Sequence, residues 1–132
     1  MPVTYSIDPA EKRIHTTCSG PVTLSEVIEH FRILQQDPAC LGPLDVLLDV
    51  SESDGLPDAR QIGAVKTELS AVRDKVQFRI CAIVATRDAM FGMMRMFEVL
   101  AAPYFLAIRV FRGRSDAEAW MLSQRPARSS ER

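Results

Sequence analysis

The chain has 132 residues, which suits one domain, and its hydrophobic and charged fractions, 47% and 25%, are close to those of globular proteins. A formal net charge of −1 excludes the strongly basic surface typical of nucleic-acid binding, so no nucleic-acid partner is expected. The sequence shows neither a signal peptide nor an apolar run of the roughly 20 residues that a transmembrane segment needs. The three cysteines are few and widely spaced. We therefore expect a soluble, cytoplasmic protein with reduced thiols.

The amino-terminal part of the chain alternates apolar and polar residues, and this period-two pattern predicts a β-hairpin. Val3, Tyr5 and Ile7 share one face of the first strand, and the residues around Pro9 supply the turn. The second strand, from Arg13 to Ser19, ends before Gly20 and Pro21.

A helix follows the hairpin. Thr23 and Glu26 have the spacing of a capping box, and apolar residues recur at helical intervals as far as about Gln36. His30 is near Glu26 and Glu29 in the sequence, and we interpret it as a surface histidine on the polar side of this helix.

The remainder of the chain predicts three strand-helix units. The segment LDVLLDV, residues 44–50, is apolar on both faces and indicates a central buried strand. A polar turn, SESDGLP, and a helix over residues 58–73 follow it. Two further strand-helix units are predicted from residue 76 onwards. The predicted fold class is α/β: an N-terminal β-hairpin followed by three strand-helix units, giving a five-stranded mixed, mostly parallel sheet with about four helices. We assign residues 1–124 to a single domain and residues 125–132 to a flexible C-terminal tail.

Several of these segments resemble the STAS superfamily, in particular its SpoIIAA-like (STAS/SEC14-type) branch of small bacterial proteins. The resemblance lies in the hairpin, in the strands LLDVS and ICAIVA, and in the closing segment VFRGRSDAEAWML, and it extends from Val3 to Leu122. It implies the SpoIIAA-like fold. It also implies one of two roles, because classical members are anti-sigma-factor antagonists, whereas ligand binding is suggested for the SEC14-type branch.

In the classical members, a serine in the turn after the third strand is phosphorylated and thereby switches partner binding. The corresponding turn here places Ser53 and Gly55 at comparable positions, with Ser51 nearby, but the order of serine and acid differs. Arg87 and Arg112 follow neighbouring strands and are candidate partners for a phosphate. Three acidic residues crowd the same turn: Glu52, Asp54 and Asp58. Because like charges repel a phosphate, we favour a turn that only caps the next helix.

The segment from Asp88 to Ala102 predicts a helix that is apolar nearly all round and holds four of the six methionines. Its broad core face comprises Met90, Met93, Met94, Phe97 and Leu100. Phe91, Met96 and Val99 face away from that core, which indicates either a homodimer interface or one wall of an apolar-ligand groove.

The sequence contains none of the common catalytic or nucleotide-binding motifs, and its cysteine and histidine spacing does not indicate a metal site. We therefore expect no catalytic residues, no metal and no cofactor. The leading hypothesis is a regulatory or scaffolding module that binds protein, either itself or a regulatory partner. The alternative is a module that binds or senses a small apolar or lipid-like ligand, and a serine-phosphorylated partner switch is the third hypothesis.

Overall fold

The computed structural model describes residues 2–124, which form one five-stranded sheet and four helices. The strands lie side by side in chain order, β1 is antiparallel to β2, and all other neighbours are parallel. The predicted hairpin and mixed, mostly parallel sheet are therefore confirmed. The proposed tail, residues 125–132, lies outside the described residues. The strands are β1 (Val3–Asp8), β2 (Arg13–Pro21), β3 (Leu44–Asp54), β4 (Phe78–Val84) and β5 (Ala107–Phe111).

The helices lie on both faces of the sheet, three on one face and one on the other. They are α1 (Leu24–Gln36), α2 (Ala59–Val72), α3 (Asp88–Ala101) and α4 (Arg114–Ser123). Right-handed crossovers between adjacent parallel strands place α1, α2 and α3 on the same face. The fourth helix follows the last strand and packs on the opposite face, against β4 and β5.

Alternation along β4 separates two hydrophobic cores. Cys81 and Ile83 pack towards α2 and α3, whereas Ile80, Ala82 and Val84 pack against α4. All five side chains are at most 2% exposed, as expected for a strand that is covered on both faces.

The first two helices begin with reciprocal side-chain caps. The Thr23 hydroxyl accepts a hydrogen bond from the backbone N–H of Glu26, whose carboxylate accepts one from the backbone N–H of Thr23. This confirms the predicted capping box. Asp58 and Gln61 make the equivalent pair at the start of α2. These caps fix where each helix begins relative to the end of the preceding strand.

The central strand is longer than the sequence pattern indicates. The predicted turn began at Ser51, but β3 continues to Asp54, and the turn is made by Gly55, whose φ is +70°. Thr17 pairs with Asp49, and Ser19 pairs with Glu52, so β3 contains one residue more than β2 over this interval. This β-bulge reverses the alternation of side chains in the last part of β3.

Candidate functional site

A cavity of about 430 Å³ lies between the sheet and the layer formed by α1, α2 and α3. Its lining is predominantly aliphatic and aromatic. Each of the three helices contributes apolar side chains, and the floor comes from β2, β3 and β4. Representative lining residues are Phe31, Leu48, Val50, Val65, Met94 and Phe97.

The central strand shows that protein side chains do not fill this space. Leu47, on the α4 side of β3, is 1% exposed, whereas Val46 and Leu48, on the side of the cavity, are only half-buried. Strand β3 has neighbours on both sides and helices over both faces, so its apolar side chains are expected to be close-packed. Val46 and Leu48 retain accessible surface because the cavity lies where packing atoms would otherwise be.

The cavity opens at the carboxyl ends of β2 and β3. Its exposed lining residues lie at the ends of these strands and in the two loops that follow them. Pro21 ends β2 and Thr23 belongs to the first loop, whereas Gly55 and Leu56, which is 50% exposed, belong to the second. The carboxyl ends of parallel strands are where open α/β sheets commonly bind ligands.

Arg87 fixes the second of these loops. Its Nη2 atom donates hydrogen bonds to the backbone carbonyl oxygens of Ser53 and Gly55, both at 2.8 Å. Arg87, which the sequence indicated as an anion partner, therefore does contact the predicted turn. It binds backbone carbonyl oxygens there and not a serine hydroxyl.

Arg112, the second predicted anion partner, lies elsewhere. Its guanidinium forms an ion pair with Asp88 and lies over the ring of Phe91, 4.2 Å from the ring centroid. The structure therefore brings Arg87, but not Arg112, into contact with the loop that follows β3.

The two candidate phosphoserines have different surroundings. Ser53 is 8% exposed and lines the cavity, because the β-bulge turns its side chain to the same side as Leu48. Ser51 is half-buried, and its hydroxyl donates a hydrogen bond of 2.5 Å to Asp49 Oδ1. Neither hydroxyl projects freely into solvent.

His30 is buried, so its interpretation as a surface histidine is wrong. It is 8% exposed and packs between the rings of Tyr5 and Phe31, with centroid distances of 5.3 and 5.6 Å. His30 follows Val27 by three residues and precedes Leu34 by four, which places it on the apolar face of α1. That spacing was the signal that could have identified it, and the adjacent glutamates obscured it.

The interior of the cavity carries no formal charge at neutral pH. Burial lowers the pKa of His30 to about 4, so its ring is neutral. Asp54, at the exposed opening, is the charged side chain of the described lining, to which no lysine or arginine contributes. Burial also raises the pKa of Cys18 to about 11, which keeps this lining thiol protonated.

The Met-rich helix α3 contributes to the cavity through its inner face. Met90, Met94 and Phe97 are buried and line the cavity. On the other side of the helix, Met96 is 39% exposed and Val99 is 73% exposed. Phe91, the remaining residue of the predicted interface, is half-buried beneath Arg112.

The architecture is similar to that of a solved structure, an uncharacterized protein of the DUF3478 family from Shewanella loihica PV-4, which has a SpoIIAA-like fold. The TM-score is 0.62, and the alignment covers 89% of this chain and 92% of that chain at 18% sequence identity. The chain has a SpoIIAA-like fold. This confirms the fold that the sequence resemblance implied.

The sequence itself gives no further assignment, since no protein-family model and no curated protein matches it. Within residues 2–124, no helix combines the length and the apolar character needed to cross a membrane. Over the same residues, no cluster of three or more histidine, cysteine, aspartate or glutamate side chains is arranged to hold a metal ion. The feature of this SpoIIAA-like domain that invites a functional explanation is its apolar cavity, which has a predominantly aliphatic and aromatic lining.

Proposed function

We propose that this SpoIIAA-like domain is a non-catalytic, cytoplasmic binding module that holds a small apolar molecule in the cavity between the sheet and helices α1–α3. The observation that carries the proposal is the incomplete burial of Val46 and Leu48 on a central strand. A close-packed core would bury them, as Leu47 is buried on the other face.

The size and the lining of the cavity support the same function. A volume of about 430 Å³ lies within the range of small-molecule sites, roughly 300–1,000 Å³. Filled to the density of a protein interior, such a cavity accommodates on the order of 300 Å³ of van der Waals volume. An apolar lining favours an apolar occupant over ordered water, because water needs polar partners.

Binding can be measured with diphenylhexatriene, a hydrocarbon whose fluorescence increases when it leaves water. We expect saturable binding by the wild-type protein. We expect Leu48→Trp to weaken that binding by about tenfold or more, because Leu48 lines the cavity and the larger indole would take up part of its volume. The measurement is a fluorescence titration, combined with thermal unfolding to show that the variant is folded.

The matched control is Leu106→Trp, which introduces the same indole at a residue that is 78% exposed and does not line the cavity. This variant should bind the probe as the wild type does. Absence of saturable binding by the wild type, or unchanged binding by folded Leu48→Trp, would contradict the proposal.

Homodimerisation through α3 is the second candidate function. It is favoured by the exposure of Met96 and Val99 on one side of this helix. The same side also carries the ion pair between Arg95 and Glu98, which makes the surface less apolar than the sequence alone indicates. We therefore place this function after ligand binding.

The test of the second candidate is the mass in solution, measured by light scattering. If α3 forms the interface, Met96→Glu should convert a dimer into a folded monomer, because a buried carboxylate without a partner is strongly unfavourable. Ser70→Glu, at an exposed position on α2, is the control and should keep the wild-type mass. A monomeric wild-type protein would exclude this candidate.

Phosphorylation of Ser51 or Ser53 is the least supported of the three functions. Ser53 is buried in the cavity lining, and the Ser51 hydroxyl already donates to Asp49. A kinase acting on either serine would have to displace these contacts first.

A further inference from the structure

The apolar lining of the cavity is interrupted by a few buried polar side chains. Thr16 of β2 is 4% exposed, and His30 of α1 is 8% exposed. Their side chains contact each other in the cavity lining, and Ser53 lies nearer the opening. Polar side chains that are more than nine-tenths buried normally make well-formed hydrogen bonds.

The contact between Thr16 and His30 leaves hydrogen-bonding capacity unused. Thr16 Oγ1 and His30 Nε2 are 3.5 Å apart, whereas bonds of good geometry measure about 2.7–3.2 Å. A hydroxyl offers one donor and two acceptor positions, and a neutral imidazole offers one of each. Within the described residues, no other side-chain hydrogen bond involves either group. A hydroxyl of a bound molecule could therefore accept from one of them and donate to the other, and a carbonyl oxygen could accept from either.

The absence of positive charge from the described lining restricts the charge of the occupant. An anionic group placed beside Thr16 and His30 would lose its hydration without gaining a cationic partner, which is strongly unfavourable. Asp54 at the opening would also repel an anion. A neutral hydroxyl or carbonyl group suffers neither effect.

The sheet geometry indicates the shape of the occupant. Thr16 pairs with Leu48, and Ser53 follows Leu48 by five positions on β3. At about 3.3 Å per residue, these positions are roughly 15 Å apart along the strand. A molecule that reaches from the opening to Thr16 is therefore elongated.

We propose that the occupant of the cavity is a neutral, elongated apolar molecule with a hydroxyl or carbonyl group that hydrogen-bonds to Thr16 and His30. This inference rests on the proposed ligand-binding function and specifies the ligand class. It distinguishes a fatty alcohol, or a molecule of similar chemistry, from a fatty acid anion of the same length.

The test is competition against bound diphenylhexatriene by decanol and by decanoate. Decanol should displace the probe at concentrations about tenfold lower than decanoate does. Thr16→Val, which is nearly isosteric, should weaken decanol binding by about threefold to tenfold. It should leave the affinity for the hydrocarbon probe within about twofold. The effect of Thr16→Val is the decisive result. Decanol would also compete better than decanoate for the sole reason that it is more hydrophobic.

Ile14→Val is the matched control. It removes one methylene from the same strand and the same cavity lining, without changing a polar group. We expect it to affect decanol and the hydrocarbon probe to the same extent. If the probe binds but decanoate competes as well as decanol, or Thr16→Val weakens both ligands equally, the present inference is wrong while the proposed function stands. If the wild-type protein does not bind the probe, both are wrong.

Discussion

Replacing Arg79 with methionine is expected to lower the free energy of unfolding by about 3 kcal/mol. Arg79 forms a bidentate ion pair with Asp45, with Nε–Oδ1 and Nη2–Oδ2 distances of 2.8 and 3.1 Å. The Asp45 side chain is only 7% exposed, so the substitution leaves a buried carboxylate without its partner. The guanidinium also donates to the backbone carbonyl of Gln124, a contact that ties the end of α4 to the sheet. Chemical denaturation at neutral pH measures the loss.

Two further variants test the cause of this effect. Arg32→Met removes a partner of Glu68 at 4.0 Å, but Arg32 is 65% exposed, so we expect a change below about 0.5 kcal/mol. Combining Arg79→Met with Asp45→Leu removes both charges and should recover most of the lost stability. If the double substitution does not recover stability, the loss in Arg79→Met comes mainly from the contact with Gln124 and not from the unpaired Asp45 carboxylate.

The second large effect is a dependence of stability on pH caused by His30. Burial lowers the pKa of His30 from 6.5 to about 4 in the folded protein. Between these values the unfolded chain binds a proton that the folded protein does not, so stability decreases as the pH falls through this interval. The contribution of His30 is fully present above about pH 6.5, and its loss by pH 4 amounts to about 3 kcal/mol. His30→Gln should remove this part of the pH dependence.

The measurement is the difference in unfolding free energy between wild type and His30→Gln at several pH values, because the contributions of the carboxylates cancel in that difference. His15→Gln is the control. Burial and nearby Arg13 also lower the pKa of His15, but its substitution leaves the contribution of His30 in place. Parallel curves for wild type and His30→Gln would mean that the buried ring protonates at its ordinary pKa.

The fold was predictable because local signals agree with its global arrangement. The capping box at Thr23 marks the start of α1, and the two-sided apolar run of residues 44–50 marks β3 as central. Alternating strands and helices indicate parallel pairing, and right-handed crossovers determine which face each helix covers once two strands are adjacent. The order of the strands in the sheet was not predicted from the sequence.

The cavity was less predictable than the fold, because it depends on how strands align with each other and on how helices pack against the sheet. Ser53 was assigned to a turn, but a single extra residue in β3 keeps it in the strand and directs it into the cavity. No local pattern at Ser53 specifies such a bulge. His30 could have been recognised from its interval to Val27 and Leu34, yet its nearest charged neighbours suggested the opposite face. The cavity itself arises from the separation of three helices from the sheet, a long-range property that no segment encodes alone.

Among the helices of residues 2–124, α4 is the one that packs on its face of the sheet, and this has a consequence for how the sequence can diverge. Ala117 and Met121 anchor α4 to Ile80 and Ala82, and none of these four residues lines the cavity. Their side chains lie on the face of the sheet opposite to the cavity and belong to a separate cluster, and substitutions without shared partners act on stability almost independently. Residues around the cavity can therefore change to suit different molecules while the packing beneath α4 preserves the domain. The face covered by α4 thus maintains the stability of the domain, and the face covered by α1, α2 and α3 can acquire new ligand specificity.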